Sequence, residues 1–434
     1  MNENYKIGDS LKSFPNGPRL KKNGKPFKWG TIIPLIGGLS MGSSITTQSK
    51  PEFLLSFKGF QGNEKHIREY WNDVPYFIID DDDESKRPNV KKKLFKNIDF
   101  VNSVPPCAGL SQLNSSSKAG SKFHRGSEAV QNDWIYKSAE FAIEHLQPKV
   151  FWGENAPALF TKTGEGVVEK LKLIAKKYNY SLSLIKTNTL FHGLPQKRER
   201  TFYFLWKSTV SPIMNYHYKD RPNYVDFLKN VNPNATLHTP DKQRKVSDVS
   251  MIYKFLLQEL KLSHHEFNKK FKRGTSTLIL LQNKLLDTCV TWLEKNHPEH
   301  SDLRFLNHVK KKMEMKMGWW DKTPHVFYEY VNALVGRNLS LSMHPTDERF
   351  LSTREMMHLM GLPDDFNLAP DSKGNIYINH IAQNVCSVIA SDMAENVCNF
   401  INDELTMSDS NFIKQRETNA SKFNNSTDKI KKLF

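Results

Sequence analysis

The stretch Ile98-Asp99-Phe100-Val101-Asn102-Ser103-Val104-Pro105-Pro106-Cys107-Ala108-Gly109-Leu110-Ser111 decides the fold. Its first half, Ile98 to Val104, reads as a buried strand, apolar and β-branched between polar flanks. Two prolines then stop the strand, since they can neither continue a ladder nor enter a helix freely, and they aim the next residue off the sheet's carboxyl edge. That residue is Cys107, followed by small and polar residues, Ala108 to Gly120, with the composition of a mobile loop. Open α/β sheets place their chemistry at such a strand end. A buried structural thiol is the commoner fate of a cysteine; the Pro-Pro-Cys turn and the Ser/Gly loop favour a nucleophile instead.

Around this stretch, 434 residues suffice for one large core and a smaller second one. No apolar run approaches the roughly 18 residues of a membrane span, and the polar N-terminus has no signal-peptide core. The four cysteines (Cys107, Cys289, Cys386, Cys398) form no CxxC pair and no metal-ligand spacing. This predicts a reducing compartment and no metal site. The net charge of +16 points to a polyanionic partner, most simply nucleic acid, with an anionic membrane as the weaker alternative.

Taken in order, residues 1–28 form a loose lead. Thr31 to Ile36 is a strand candidate running into Gly37-Gly38, which fits either a nucleotide-binding turn or a plain βα turn. Phe53 to Phe60 is a second strand. Glu64 follows it, either as a ribose-hydroxyl ligand or as a solvated helix-start glutamate. Tyr76 to Ile79 leads into Asp80 and an acidic run of which only the first residue or two could reach a ligand. Ser127 to Gln147 reads as a helix. A strand at Val150 delivers Glu154-Asn155, another helix spans Gly164 to Tyr178, and two strands, Tyr180 to Thr189 and Arg200 to Trp206, flank a turn carrying Gln196, Arg198 and Arg200. Alternating strands and helices predict an α/β fold: a doubly wound, mainly parallel sheet over 29–206. Residues 207–346 lose this alternation, carry basic helix candidates (Ser263 to Arg273, Phe305 to Met317), and read as an inserted smaller domain. Residues 347–405 return to the first domain, with helices at 349–366 and from Ile381 to Leu405, and 406–434 form a polar tail, unstructured or weakly helical.

Pro106-Cys107, Glu154-Asn155 and Gln196-x-Arg198-x-Arg200 thus stand at strand ends. Together they suit attack on a pyrimidine. A thiolate adding to C6 makes C5 nucleophilic, provided that a protonated carboxyl serves N3 and guanidinium groups serve O2 and phosphate.

These segments resemble the DNA (cytosine-5) methyltransferase family. Pro106-Cys107-x-Gly109-x-Ser111 matches its Pro-Cys motif in the Pro-Pro-Cys variant, Glu154-Asn155-Ala156-Pro157 its Glu-Asn-Val motif, and Gln196 to Arg200 its Gln-x-Arg-x-Arg motif, with Asn188 upstream. Arg349 to Pro363 is similar to the ninth motif and His380 to Cys386 to the tenth. The resemblance implies a Rossmann-like S-adenosylmethionine-dependent fold with an inserted DNA-recognition domain. It implies Cys107 as nucleophile, Glu154 at N3, Asn155 orienting the catalytic loop, and Arg198 and Arg200 on base and phosphate. Gly37, Gly38, Glu64, Asp80 and Asn384 would line the cofactor site. It further implies a monomer acting on double-stranded DNA through a flipped cytosine, off membranes, in the cytoplasm of a bacterial or phage-infected cell, with or without a partner restriction endonuclease.

The departures lie on one side. In the family's Phe-x-Gly-x-Gly-Gly motif, Ile33 and Leu35 replace the Phe and the first Gly, and Gln383 replaces the Gly before Asn384. The leading expectation is methyl transfer from S-adenosylmethionine to C5. The rivals are hydroxymethyl transfer from methylene-tetrahydrofolate and a catalytically degenerate DNA binder.

Overall fold

The computed structural model describes residues 5–79, 95, 97–111, 126–336 and 339–418. Two compact units emerge: residues 1–221 with 359–434, and residues 222–358.

The first unit is built on an eight-stranded sheet. Its strands are β1 (Trp29–Ile32), β2 (Leu54–Phe57), β3 (Tyr76–Ile79), β4 (Phe100–Ser103), β5 (Val150–Asn155), β6 (Ser181–Asn188), β7 (Glu199–Trp206) and β8 (Phe412–Arg416). The spatial order is β8-β6-β7-β5-β4-β1-β2-β3. Only β7 runs antiparallel to its neighbours β5 and β6. Helices α1 (Gly38–Thr47), α2 (Gln61–Tyr70), α3 (Asp133–Phe141), α4 (Glu165–Lys177) and α5 (Ser387–Ile401) accompany the sheet. The central strands β1, β4 and β5 are buried at every residue, which is why they read as nearly continuous apolar runs. Where polar groups enter this core they satisfy one another. Thr31 Oγ donates to Asn102 Oδ1 (2.5 Å), Ser40 Oγ to Thr31 Oγ (3.1 Å), and Asn102 Nδ2 to Ser43 Oγ (2.9 Å). This chain ties β1 and β4 to α1, directly beneath the Pro-Pro-Cys turn. Helix α1 also packs closely on α5. A Cβ on Gly42 would lie 2.3 Å from that of Ala390, so only glycine permits the approach.

The observed elements are tighter than the sequence suggests. The first strand ends at Ile32 because Ile33 and Leu35 adopt left-handed backbone (φ 51° and 52°), which no ladder accommodates. The second ends at Phe57, and Glu64, in the first turn of α2, is buried against that strand end through Ser56 and not solvated. The helix expected over 127–147 is a 3₁₀ turn, α3 and a π-turn in succession. Only Thr353–His358 of 349–366 is helical, and the last long helix runs from Ser387 to Ile401. The expected acidic run from Asp80 and the loop Gln112 to Arg125 lie outside the described residues.

The polar tail needs a correction. Residues 412–416 form β8, parallel to β6 from Phe412 opposite Leu182 to Arg416 opposite Lys186. Two apolar residues among polar ones hid a strand that needs only one covered face: the Lys172 ammonium lies 4.1 Å from the Phe412 ring. Beyond the strand, Glu417 enters a buried cluster. His192 meets Asp392 through Nδ1 (2.7 Å) and Glu417 through Nε2 (2.9 Å). Thr187 also donates to Glu417, and Lys219 to Asp392.

The second unit is mostly helical. Tyr253, Phe255, Leu256, Phe267, Leu280 and Leu293 lie in its core. Ser263 and Glu266 form a capping box at the start of His264–Phe271. A short antiparallel ribbon pairs Arg273–Thr275 with His325–Phe327. Among the described residues no helix is long and apolar enough to cross a membrane.

The His192 cluster makes stability depend on pH. Burial alone would lower the His192 pKa, but Glu417 and Asp392 outweigh it and raise it from 6.5 to about 9. A raised folded-state value means that the stabilisation is complete below 6.5 and is lost as pH rises through about 9. Its size is on the order of 3 kcal/mol. Thermal unfolding followed from about pH 6 to about pH 10 should show the melting temperature falling across that window. The fall should be smaller in His192→Gln.

Candidate active site

Register sets the carboxyl ends of β4 and β5 level with the amino end of β7. Ser103 of β4 pairs with Gly153 of β5, and Gly153 with Tyr203 of β7. One residue on, β5 presents Glu154 and Asn155, while Val104 and the two prolines carry the chain out of β4 to Cys107. The loop's ends are pinned: Leu110 N–H donates to Cys107 O (3.1 Å), Gly126 N–H to Gly109 O (2.9 Å), and Asn132 Nδ2 to the carbonyls of Gly126 and Ser127 (2.9 and 3.0 Å). Gly109 is required here, because a Cβ would lie 2.6 Å from Asn132 Oδ1.

On β7, Arg200 places its Nε 2.6 Å from Glu154 Oε1. The N–H is not aimed at that oxygen, so the contact is an ion pair without hydrogen-bond geometry. Arg200 Nη1 donates instead to Glu199 O (2.7 Å). Arg198 is buried. Its Nη2 donates to the carbonyls of Ala382 (2.9 Å) and Asn384 (2.7 Å). Gln196 Nε2 donates to Leu359 O (2.9 Å), and Asn188 Oδ1 accepts from Leu190 N–H (3.1 Å). These bonds hold the Gln-x-Arg-x-Arg segment rigid.

Arg200 lies close enough to shift the protonation of Cys107, Glu154 and Arg198. Burial pushes the Cys107 thiol up, with Arg200 pulling it down, Glu154 adding to the rise, and Arg198 opposing it. The side chain is densely surrounded yet keeps partial exposure, as a nucleophile requires. Burial also raises Glu154, outweighing Arg200 and then Arg198. A carboxyl so placed gives up its proton less readily than a free one. Arg198 is lowered by burial, then by Arg200, to about 10.

Asn155 Oδ1 accepts from Ala156 N–H (2.8 Å), while its Nδ2 is buried with no hydrogen-bond partner among the described residues. The same holds for Ser103 Oγ, Thr201 Oγ and Tyr203 OH. Tyr203 was not singled out from the sequence. The signal was its register opposite Gly153, where a Cβ would lie 2.4 Å from the Tyr203 hydroxyl. Cys386 was likewise missed as a neighbour: its thiol is raised to about 11 by burial while feeling Arg198, Arg200 and Glu154.

The expected cofactor residues do not form a cradle. Gly38 N–H donates to Asn384 Oδ1 (2.9 Å), so these two engage each other. A Cβ on Gly37 would meet Ile67 Cδ1 at 2.5 Å. Glu64 is fully buried, accepting from Ser56 Oγ and Tyr76 OH (both 2.6 Å), with its pKa raised by burial to about 7. Asp80 lies outside the described residues. Among the described residues no cluster of His, Cys, Asp and Glu could hold a metal.

A profile of C-5 cytosine-specific DNA methylases matches residues 60–399. The chain belongs to this family. A search of curated protein sequences returned no match. Among solved structures, a prophage-encoded DNA modification methyltransferase of E. coli aligns with TM-score 0.51 at 18% identity, over 87% of this chain and 99% of that one. The Entamoeba histolytica methyltransferase EhMeth aligns with TM-score 0.49 at 12% identity, and S. pombe Dnmt2 with 0.49 at 9%, each over 87% of this chain and 99% of its own. At such identities the first likeness carries the mostly parallel methyltransferase fold and nothing finer. Family membership makes the chain a cytosine-C5 methylase relative, with DNA as the substrate class.

Replacing Arg198 by Ala leaves the buried carbonyl of Asn384 and the half-buried carbonyl of Ala382 without their charged donor, each bond worth about 1.5–3 kcal/mol. The melting temperature should drop in calorimetry, and Arg198→Lys should recover little of it, since an ammonium lacks the planar fork.

Proposed function

We propose that this chain activates C5 of a cytosine in DNA by covalent addition and transfers a one-carbon group to it. The observation that carries this reading is the convergence of a partly exposed thiol, a raised carboxyl and two guanidinium groups at the ends of β4, β5 and β7. The Cys107 thiol loses its proton and Sγ bonds to C6. The C5–C6 double bond opens, and the charge passing into the ring is met by the Glu154 proton at N3. C5 then attacks the one-carbon electrophile, and the electron pair that bound that carbon to its carrier stays on the carrier. Loss of the C5 proton, expulsion of the thiolate and return of the N3 proton to Glu154 restore the aromatic ring. Such attack requires the base out of the stack, and Asn155 Nδ2, Thr201 Oγ and Tyr203 OH are polar groups able to serve it or its bound water. The second unit, with its many lysines, would contact the duplex, phosphates first and base edges second.

The donor that the family resemblance implies is S-adenosylmethionine. The described residues at its expected seat do not fit it: the glycines face the chain itself and the carboxylate is diverted. That observation favours, as a second reading, methylene-tetrahydrofolate as donor, with water completing a hydroxymethyl group. Nucleoside mass spectrometry on DNA incubated with each donor separates the two.

The covalent step is tested without any donor. A duplex carrying 5-azacytosine, whose electron-poor C6 adds the thiolate readily while ring N5 takes a proton, should form a covalent complex with the protein that survives denaturation. Cys107→Ser should form none, and Glu154→Gln should form it about 10²- to 10⁴-fold more slowly. A wild-type protein that binds this duplex without trapping it would instead be a degenerate binder.

A further inference from the structure

The turn from the first strand into the first helix is where α/β folds of this type bring backbone against a nucleotide-like ligand. Glycines allow the approach, helix N–H groups face the ligand, and an acid after the second strand holds ribose hydroxyls. In this chain the glycines and the first helix N–H are engaged by the chain itself, and the strand end carries no acid. Leu35 stands where the family pattern has its first glycine, and it keeps glycine's backbone, φ 52°, while its side chain is 7% exposed. Ile33, at φ 51°, is fully buried. A left-handed β-branched residue is strained, so the turn has kept a shape that its residues disfavour. Every residue from 31 to 47 is buried by the chain's own atoms.

The close approaches that Gly37 and Gly38 permit are to Ile67 and to Val385 O, which a Cβ on Gly38 would meet at 1.9 Å. The first helix N–H is taken by Asn384. Strand β2 ends Ser56-Phe57-Lys58 with no acid, and Phe57 packs its ring 5.1 Å from that of Trp134. One group argues the other way: Asn384 Nδ2 has no hydrogen-bond partner among the described residues and would suit a ligand carboxylate. It is 2% exposed, however, and packed over Gly38. The family match itself starts at residue 60, past β1, the turn, α1 and β2.

We propose that Leu35 plugs this turn, so that the chain does not hold S-adenosylmethionine there while keeping the half-site that activates cytosine. The identity of the excluded ligand rests on the functional reading above. Two measurements on the full chain separate the claims. Equilibrium dialysis with methyl-labelled S-adenosylmethionine should show no saturable binding by wild type at millimolar ligand, and Leu35→Gly should bind at least about tenfold more tightly. Leu35→Ala, which empties much of the same volume, is the second variant should the glycine chain unfold. Saturable micromolar binding by wild type overturns the plug, as does binding unchanged in both variants. In parallel, tritium should pass from [5-³H]cytosine DNA to water without donor, because C5 of the adduct takes a solvent proton and returns the labelled one on elimination; Cys107→Ser should abolish this. Without release, the functional reading falls while the dialysis still decides the plug.

Discussion

The buried guanidinium of Arg198 holds the two halves of the site in one frame. Its donors fix the carbonyls of Ala382 and Asn384, and the Asn384 side chain in turn accepts from the first N–H of α1. A charge this deep is tolerated only because carbonyls satisfy it. The same residue adds, after Arg200, to the positive potential felt by Cys107 and Glu154. Position on the donor side and charge on the cytosine side therefore share one side chain.

The two halves are built differently. At the ends of β4, β5 and β7 polar groups are left without partners, and a carboxyl and a thiol are both raised by burial. That is an environment waiting for a polar guest. At the ends of β1 and β2 the polar groups are paired, Asn384 Nδ2 excepted among the described residues, and the spaces are apolar: Ile33, Leu35, Ile36 and Phe57 are all buried. Burying one leucine side chain is worth about 2 kcal/mol. This offsets the roughly 1–2 kcal/mol that a left-handed non-glycine residue costs, so a leucine is tolerated at that position.

The cytosine half was legible in the sequence because strand ends followed by proline or glycine are short, strong signals. Cys107, Glu154 and Arg200 could be placed from them. Arg198 was legible as a site residue, but its bonds to residues 382 and 384 were not, since they join segments more than 180 residues apart. Glu64 was misjudged because β2 ends earlier than its apolar run, which moves the carboxylate into a helix and under Tyr76. Strand β8 was missed because an edge strand needs little apolar content when charged stems cover its rings. The helical second unit lacked any alternation from which its topology could be drawn.

The interleaving of the two units bears on how the chain is made. The ribosome releases seven strands of the sheet, then the whole of residues 222–358, and only afterwards α5 and β8. Until then His192 lacks both carboxylates, Arg198 lacks its carbonyls and α1 lacks the helix it packs against. The nascent first unit therefore exposes a polar core and an open sheet edge while the second unit can already fold around its own core. A growing chain of this design depends on the second unit folding promptly, or on a chaperone guarding β6, for the late segments to find their places.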